Sequence, residues 1–189
     1  MNRVAIAATA TALLIGAGAA LATTSEAPQP DPGAEIMNPM IAGQAMLASR
    51  DIADNIAKSP EHTAFVRGLK ESGVEGLLKG KGPFTVFAPT NDAFATAKET
   101  TDKGDLTKLL DYHIVRGLLD SKTLLRLIGE GGGQAKLKTV EGGTLVAMMN
   151  GPTNIVLMDA KGRFADITTY DVYQSNGVLQ VIDKVVRPD

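Results

Sequence analysis

Residues 84–94, Phe84-Thr85-Val86-Phe87-Ala88-Pro89-Thr90-Asn91-Asp92-Ala93-Phe94, decide how the rest of the chain is read. The first four are apolar or β-branched and predict a strand. Pro89 fixes the exit of that strand, and no glycine comes after it. The next residues carry the chemistry of a helix start instead. Thr90 or Asn91 can accept from the first orphan backbone N–H groups, and Asp92 in the first turn complements the helix dipole. Phe94 then returns apolar surface to the core. The polar trio reads as a cap rather than as a catalytic constellation.

Upstream of this junction, Ala48, Ile52 and Ile56 recur at four-residue spacing, which predicts a short helix over 51–58. Ser59-Pro60-Glu61 reads as the N-cap, first-turn proline and first-turn acid of a second helix. That helix presents Phe65, Val66 and Leu69 on one face and ends at Gly73. Val74 to Leu78 makes a further turn. Downstream, Leu106, Leu109 and Leu110 mark one helix face, and Leu124, Leu125 and Ile128 mark another behind a capping Ser121. Beyond Gly131-Gly132-Gly133 the period changes to two. Strands are expected over 136–140, 144–149, 155–158, 164–173 and 178–186, separated by turn chemistry such as Asn150-Gly151-Pro152 and Ser175-Asn176-Gly177. Helices gather in the first half and strands in the second, so the expected class is an α+β domain.

The ends of the chain differ in texture. Residues 1–22 carry a basic Arg3, an apolar run through Leu13-Leu14-Ile15 and a small-x-small close at Ala20-Leu21-Ala22, the pattern of a signal peptide cleaved after Ala22. The stretch is too rich in Ala, Gly and Thr to read as a membrane span. Residues 23–43 hold Pro28, Pro30, Pro32 and Pro39 and read as a flexible linker, leaving 44–188 as one packed domain. The chain is expected to be exported, to the periplasm, the cell surface or the medium, with no membrane span after cleavage. It contains no Cys, so the domain holds together by packing, without disulfides. A formal charge of −2 with no Lys/Arg block excludes a nucleic-acid partner.

Three segments carry a family resemblance. Residues 84–94 resemble the first signature of the fasciclin domain, Tyr112-His113-Ile114-Val115 its central Tyr-His motif, and Ser175-Asn176-Gly177 through Val185 its second signature. The similarity runs from about Gly43 to Pro188 and is closest to the secreted bacterial single-domain branch. It implies helices packed on a wedge-shaped antiparallel β-sandwich, with the two signatures as neighbouring central strands. It also implies adhesion or extracellular matrix and cell-surface interaction without catalysis. The positions it marks as structural or interaction residues are Thr90, Asn91, Asp92, Tyr112, His113, Asn176, Gly177 and Asp183. One position departs from the family: Gln180 stands where a histidine is usual.

The residue types leave little for an enzyme. Only His62 and His113 are present, 51 positions apart, with no thiol and no Gly-x-Ser-x-Gly turn. No His-x-x-x-His pair offers a metal site, and the triple glycine lacks the strand and helix of a dinucleotide loop. No catalytic residue, cofactor or metal is therefore expected. Two functions remain: a surface-acting module whose partner is a surface protein or polysaccharide, and a periplasmic small-molecule or lipid binder. A flat patch would favour the first and a deep apolar pocket the second. A monomer is expected. His113, placed between an inward helix face and an apolar strand start, should be a buried, neutral clip. The resemblance implies Thr90 and Asn91 foremost as its partners, then backbone near the second signature.

Overall fold

The computed structural model describes residues 38–97 and 103–189. The expected signal peptide and most of the expected linker fall within residues 1–37, outside those described. Asn38, within the expected linker, is tied to the domain. The Asn38 amide donates to the carbonyls of Met46 (2.9 Å) and Tyr173 (2.6 Å), its Oδ1 accepts from Tyr173 N–H (2.7 Å), and Ile41 is already in the core.

The chain then runs through α1 (Ile52–Ile56), α2 (Thr63–Ser72), α3 (Glu75–Leu78), β1 (Phe84–Pro89), α4 (Asn91–Thr96), α5 (Lys103–Tyr112), β2 (Ile114–Arg116) and α6 (Ser121–Glu130). Five strands complete it: β3 (Gln134–Lys138), β4 (Thr144–Asn150), β5 (Asn154–Met158), β6 (Phe164–Gln174) and β7 (Gly177–Ile182). Several boundaries differ from expectation, three of them for a visible reason. α2 starts at Thr63 rather than beside Pro60, because Ser59 Oγ pairs with His62 Nδ1 (2.8 Å) and residues 60–62 form a turn. α6 is capped by Asp120, whose carboxylate accepts from Thr123 N–H at 2.8 Å, and Ser121 is its first residue. β7 ends at Ile182, where Asp183 turns its carboxylate onto Asp166 N–H (2.7 Å) and leaves the ladder.

The seven strands form one sheet in the order β2-β1-β7-β6-β5-β4-β3. Every adjacent pair is antiparallel except β1–β7, which are parallel from Phe84↔Gly177 to Pro89↔Ile182. The sheet folds back on itself. A bridge between Val115 and Thr139, with Val140 N–H donating to Ile114 C=O at 2.8 Å, joins its two edges. Two layers result, β2-β1-β7 and β6-β5-β4-β3, and the fold is the expected α+β class.

Two cores occupy the two sides of β1 and β7. Between the layers lie Phe87, Tyr112, Leu145, Leu157, Ile167 and Ile182, joined by Leu124 and Ile128 of α6. On the opposite side, Val86, Ala88, Leu179 and Val181 pack against Ile52, Ile56, Phe65 and Leu69 of α1 and α2. All six residues of β1 and all six of β7 are buried. A strand covered on both faces reads as a continuous apolar run, which is why residues 84–88 do not alternate. β3, with one face outside, alternates strictly between exposed and buried.

Candidate functional site

The first signature is a junction built from backbone needs. Thr90 caps α4: its Oγ1 accepts from Ala93 N–H at 3.2 Å. Asn91 serves the neighbouring helix instead. The N-cap of α2, His62, makes no side-chain cap bond. Asn91 Oδ1 replaces it, accepting from Ala64 N–H (3.0 Å) and Thr63 Oγ1 (3.1 Å), while its Nδ2 donates to Pro60 C=O (2.9 Å). One side chain therefore closes two helix starts together, 27 positions apart in sequence. Asp92 lies exposed in the first turn of α4, where a carboxylate complements the helix dipole.

The central pair is buried. Tyr112 spans from α5 to the far layer: its hydroxyl donates to Thr144 C=O at 2.7 Å and accepts from Ala160 N–H at 3.1 Å. Burial pushes the phenol up to about 12. His113 is fully enclosed. Its Nδ1 lies 2.8 Å from Leu109 C=O and its Nε2 accepts from Val186 N–H at 3.3 Å, which assigns the proton to Nδ1. Burial lowers its pKa to about 4, only partly offset by the Leu109 carbonyl. The imidazole is the expected neutral clip, but its partners are not Thr90 and Asn91. Those two are spent on helix starts, and the clip is closed by α5 and by backbone just past the second signature.

The second signature joins helices to strands. Asn176 Oδ1 accepts from Ile52 N–H at the start of α1 (3.0 Å), and its Nδ2 donates to the carbonyls of Leu78 (2.7 Å) and Gly80 (2.9 Å). Gly177 lets β1 approach: a Cβ there would stand 1.9 Å from Phe84 C=O, at a φ of +156°. Asp183 closes the end of β7 on Asp166 and sits 3.3 Å from Lys184 Nζ.

The eight marked residues therefore do not converge on one cleft. Seven of them hold backbone to backbone or cap a helix, and Asp92 faces solvent. Gln180 turns out to matter as much as any of them. It is fully buried; its Nε2 donates to Leu119 C=O (3.1 Å) and Asp171 Oδ1 (3.0 Å), and its Oε1 accepts from Asp171 N–H (3.0 Å). Asp171 occupies the left-handed region (φ 58°) where the β6–β7 register shifts, and its carboxylate also receives Ser121 N–H and Oγ–H. The amide thus fixes the irregular part of β6 to the start of α6. An imidazole at this position could make two such bonds at most.

Asp159 was missed as a structural centre, whereas His62 hydrogen-bonds beside a helix start. Asp159 is buried and takes both Nε and Nη2 of Arg163 (3.0 and 2.7 Å) together with the backbone N–H groups of Lys161, Arg163 and Arg187. The Asp-x-x-x-Arg spacing around a turn was the available signal. His62 is fully buried beside Ser59, and its Nε2 faces Ala88 without closing a hydrogen bond. Among the described residues there is no group of three His, Asp or Glu that could hold a metal ion.

Two clefts among the described residues are open and polar. One of about 640 Å³ is lined by Tyr112, Glu141, Gly142, Gly143, Thr144, Ala160 and Asp189. Another of about 270 Å³ runs along Asp105, Lys108, Lys161 and Arg187. Neither is the enclosed apolar cavity that a lipid requires.

Comparison with known proteins places these features. The Fasciclin domain family model matches residues 60–188. Protein sll1483 of Synechocystis sp. is 28% identical over 159 residues, which cover 79% of each chain. Periostin of Homo sapiens is 28% identical over 147 residues, or 75% of this chain but 16% of periostin. Transforming growth factor-beta-induced protein ig-h3 of Sus scrofa is 30% identical over 124 residues, covering 62% of this chain and 16% of that protein. Among solved structures, the FAS1 domain pair of the insect cell adhesion molecule Fasciclin I matches with a TM-score of 0.63 at 16% identity, over 75% of this chain and 53% of that one. That likeness shows a shared fold.

Proposed function

We propose that this chain, which belongs to the fasciclin domain family, is an exported, non-enzymatic module that acts through its surface in adhesion or in matrix and cell-surface interaction. The observation that carries this reading is where the signature residues are used. Asn91, Tyr112, His113, Asn176 and Gln180 are committed to ties between elements, which leaves the exterior of the domain for binding. The similarity to a cell adhesion molecule supports the same reading. The leader pattern of residues 1–22 supports export, and among the described residues no helix is long and apolar enough to cross a membrane.

The test is capture of envelope proteins and polysaccharide fractions by the immobilised domain, beside native mass spectrometry of protein purified from its host. Saturable capture without a co-purifying small molecule supports the reading. A stoichiometric bound lipid or metabolite would overturn it in favour of the periplasmic binder.

A further inference from the structure

The outer face of the second layer breaks the usual pattern of a solvated antiparallel sheet. One face of such a sheet is expected to be apolar inward and the other polar outward. The strand registers identify two outward rows. In one, Lys136 (β3) pairs with Val146 (β4), Val146 with Met158 (β5), and Met158 with Phe164 (β6). In the next, Gln134 pairs with Met148, Met148 with Val156, and Val156 with Asp166. The alternate residues of these strands, among them Leu137, Leu145, Leu157 and Ala165, fill the core between the layers, and none of the five outward apolar residues belongs to a core cluster. Phe164 is 48% exposed, Val146, Met148 and Met158 are half-buried, and Val156 is buried. α6 lies on the other side, where Leu124 and Ile128 join the inner core. The outer face of the sheet is covered by α1–α3 where it passes through β1 and β7; over β4 and β5 its apolar residues join none of the core clusters of the described residues.

The charges at the ends of these rows say what fits. Lys136 stands at the β3 end of one row and Asp166 at the β6 end of the next, on opposite corners of the apolar stripe. A two-fold axis lying between two facing sheets, perpendicular to the line from Lys136 to Asp166, exchanges those corners. Valine and methionine then meet valine and methionine, and each lysine meets an aspartate. A surface that complements itself in this way is what an isologous contact requires, whereas a foreign partner would need no matched pair on one face.

We propose that this face is a self-association surface: two copies of the chain stack their β3–β6 layers, stripe on stripe, with Lys136 of one copy opposite Asp166 of the other. The monomer expected from the sequence is then one side of a reversible equilibrium. Four strands about 4.8 Å apart, each about five residues at a rise of about 3.4 Å, give the face a footprint of about 300 Å² per copy, hence about 600 Å² in the pair. That lies below the size of stable specific interfaces, so the dimer is weak and concentration-dependent.

Sedimentation velocity from about 10 μM to about 1 mM tests this, because that range brackets a weak contact. The wild-type protein should pass from monomer to dimer. Met158→Lys, which places a charge in the stripe, should weaken the dimer by at least about tenfold. Lys136→Glu and Asp166→Lys should each weaken it, and the double reversal should restore it. Asp166 also accepts from Asn154 Nδ2, so thermal midpoints accompany each variant. If Asp166→Lys does not fold, the exposed Lys136→Glu and Met158→Lys carry the test alone. A single monomeric species throughout, or a dimer indifferent to Met158→Lys and Lys136→Glu, would overturn the proposal. So would a monomer whose Met158→Lys variant loses capture of another macromolecule, because the stripe would then belong to a foreign partner.

Discussion

Replacing His113 by alanine removes a ring with no access to water and leaves two backbone groups without partners. Val186 is 1% exposed, so its N–H cannot recover the lost bond from solvent. The Leu109 carbonyl loses its Nδ1 donor at the end of α5. A buried group orphaned in this way costs about 1–3 kcal/mol. The vacated space beside Phe65, whose ring centroid is 5.9 Å from that of His113, adds a cavity term of about 1–2 kcal/mol. With two orphaned groups and a cavity, His113→Ala should therefore lower stability by at least about 3 kcal/mol, a large share of what a domain this size has to spare. Equilibrium urea unfolding at pH 7.5 reads this directly, with the slope checked for an unchanged two-state transition. His62→Ala is the milder comparison, since only its Nδ1 bond to Ser59 is lost. A His113→Ala midpoint indistinguishable from wild type would refute the clip between α5 and the end of the chain.

Acid should weaken the fold through its two buried imidazoles. The pKa values of His62 and His113 are both lowered by burial to about 4, below the ordinary 6.5, so their stabilising contribution is complete above pH 6.5 and is lost as pH falls toward 4. Between pH 7 and pH 5 each should account for about 2 kcal/mol; urea midpoints that stay flat over that interval would contradict two buried neutral imidazoles. Gly177→Ala should cost more than about 3 kcal/mol or prevent folding, because β1 and β7 must separate to admit the methyl group, whereas Gly76→Ala in α3 meets no atom within 4 Å and should be neutral or stabilising. Thermal melts of the pair decide it. Gln180→Ala should cost about 2–4 kcal/mol by orphaning Asp171 N–H and Leu119 C=O, with Gln180→His intermediate; equal melting temperatures for all three proteins would remove the amide from its structural role.

The parts of this fold that were legible in the sequence are those set by neighbours along the chain. Thr90 caps α4 three residues away, Gly73 ends α2 in the left-handed region, and the β3–β5 turns fall at their glycines. The misread parts depend on contacts across the fold. Ser59 is spent on His62, and α2, starting at Thr63, takes its cap from Asn91, which no local pattern reveals. Asp183 looked like part of a strand because its apolar neighbours continue to Val186, yet its carboxylate is needed by Asp166. The site residues were legible as important but not in their roles: His113 takes Leu109, one helical turn back, and Val186, 73 positions on. The outward stripe was hidden because Met148 and Met158 look like core in any one strand. Only the register shows that they share the outer face.

The central claim is that the signature residues hold the domain together and that binding is done by its exterior. The most direct measurement is capture of the envelope or polysaccharide partner by His113→Ala at a temperature where urea curves show the variant fully folded. Binding per folded molecule equal to wild type is the predicted result. A folded variant that no longer binds would place His113 in a functional site and contradict the account.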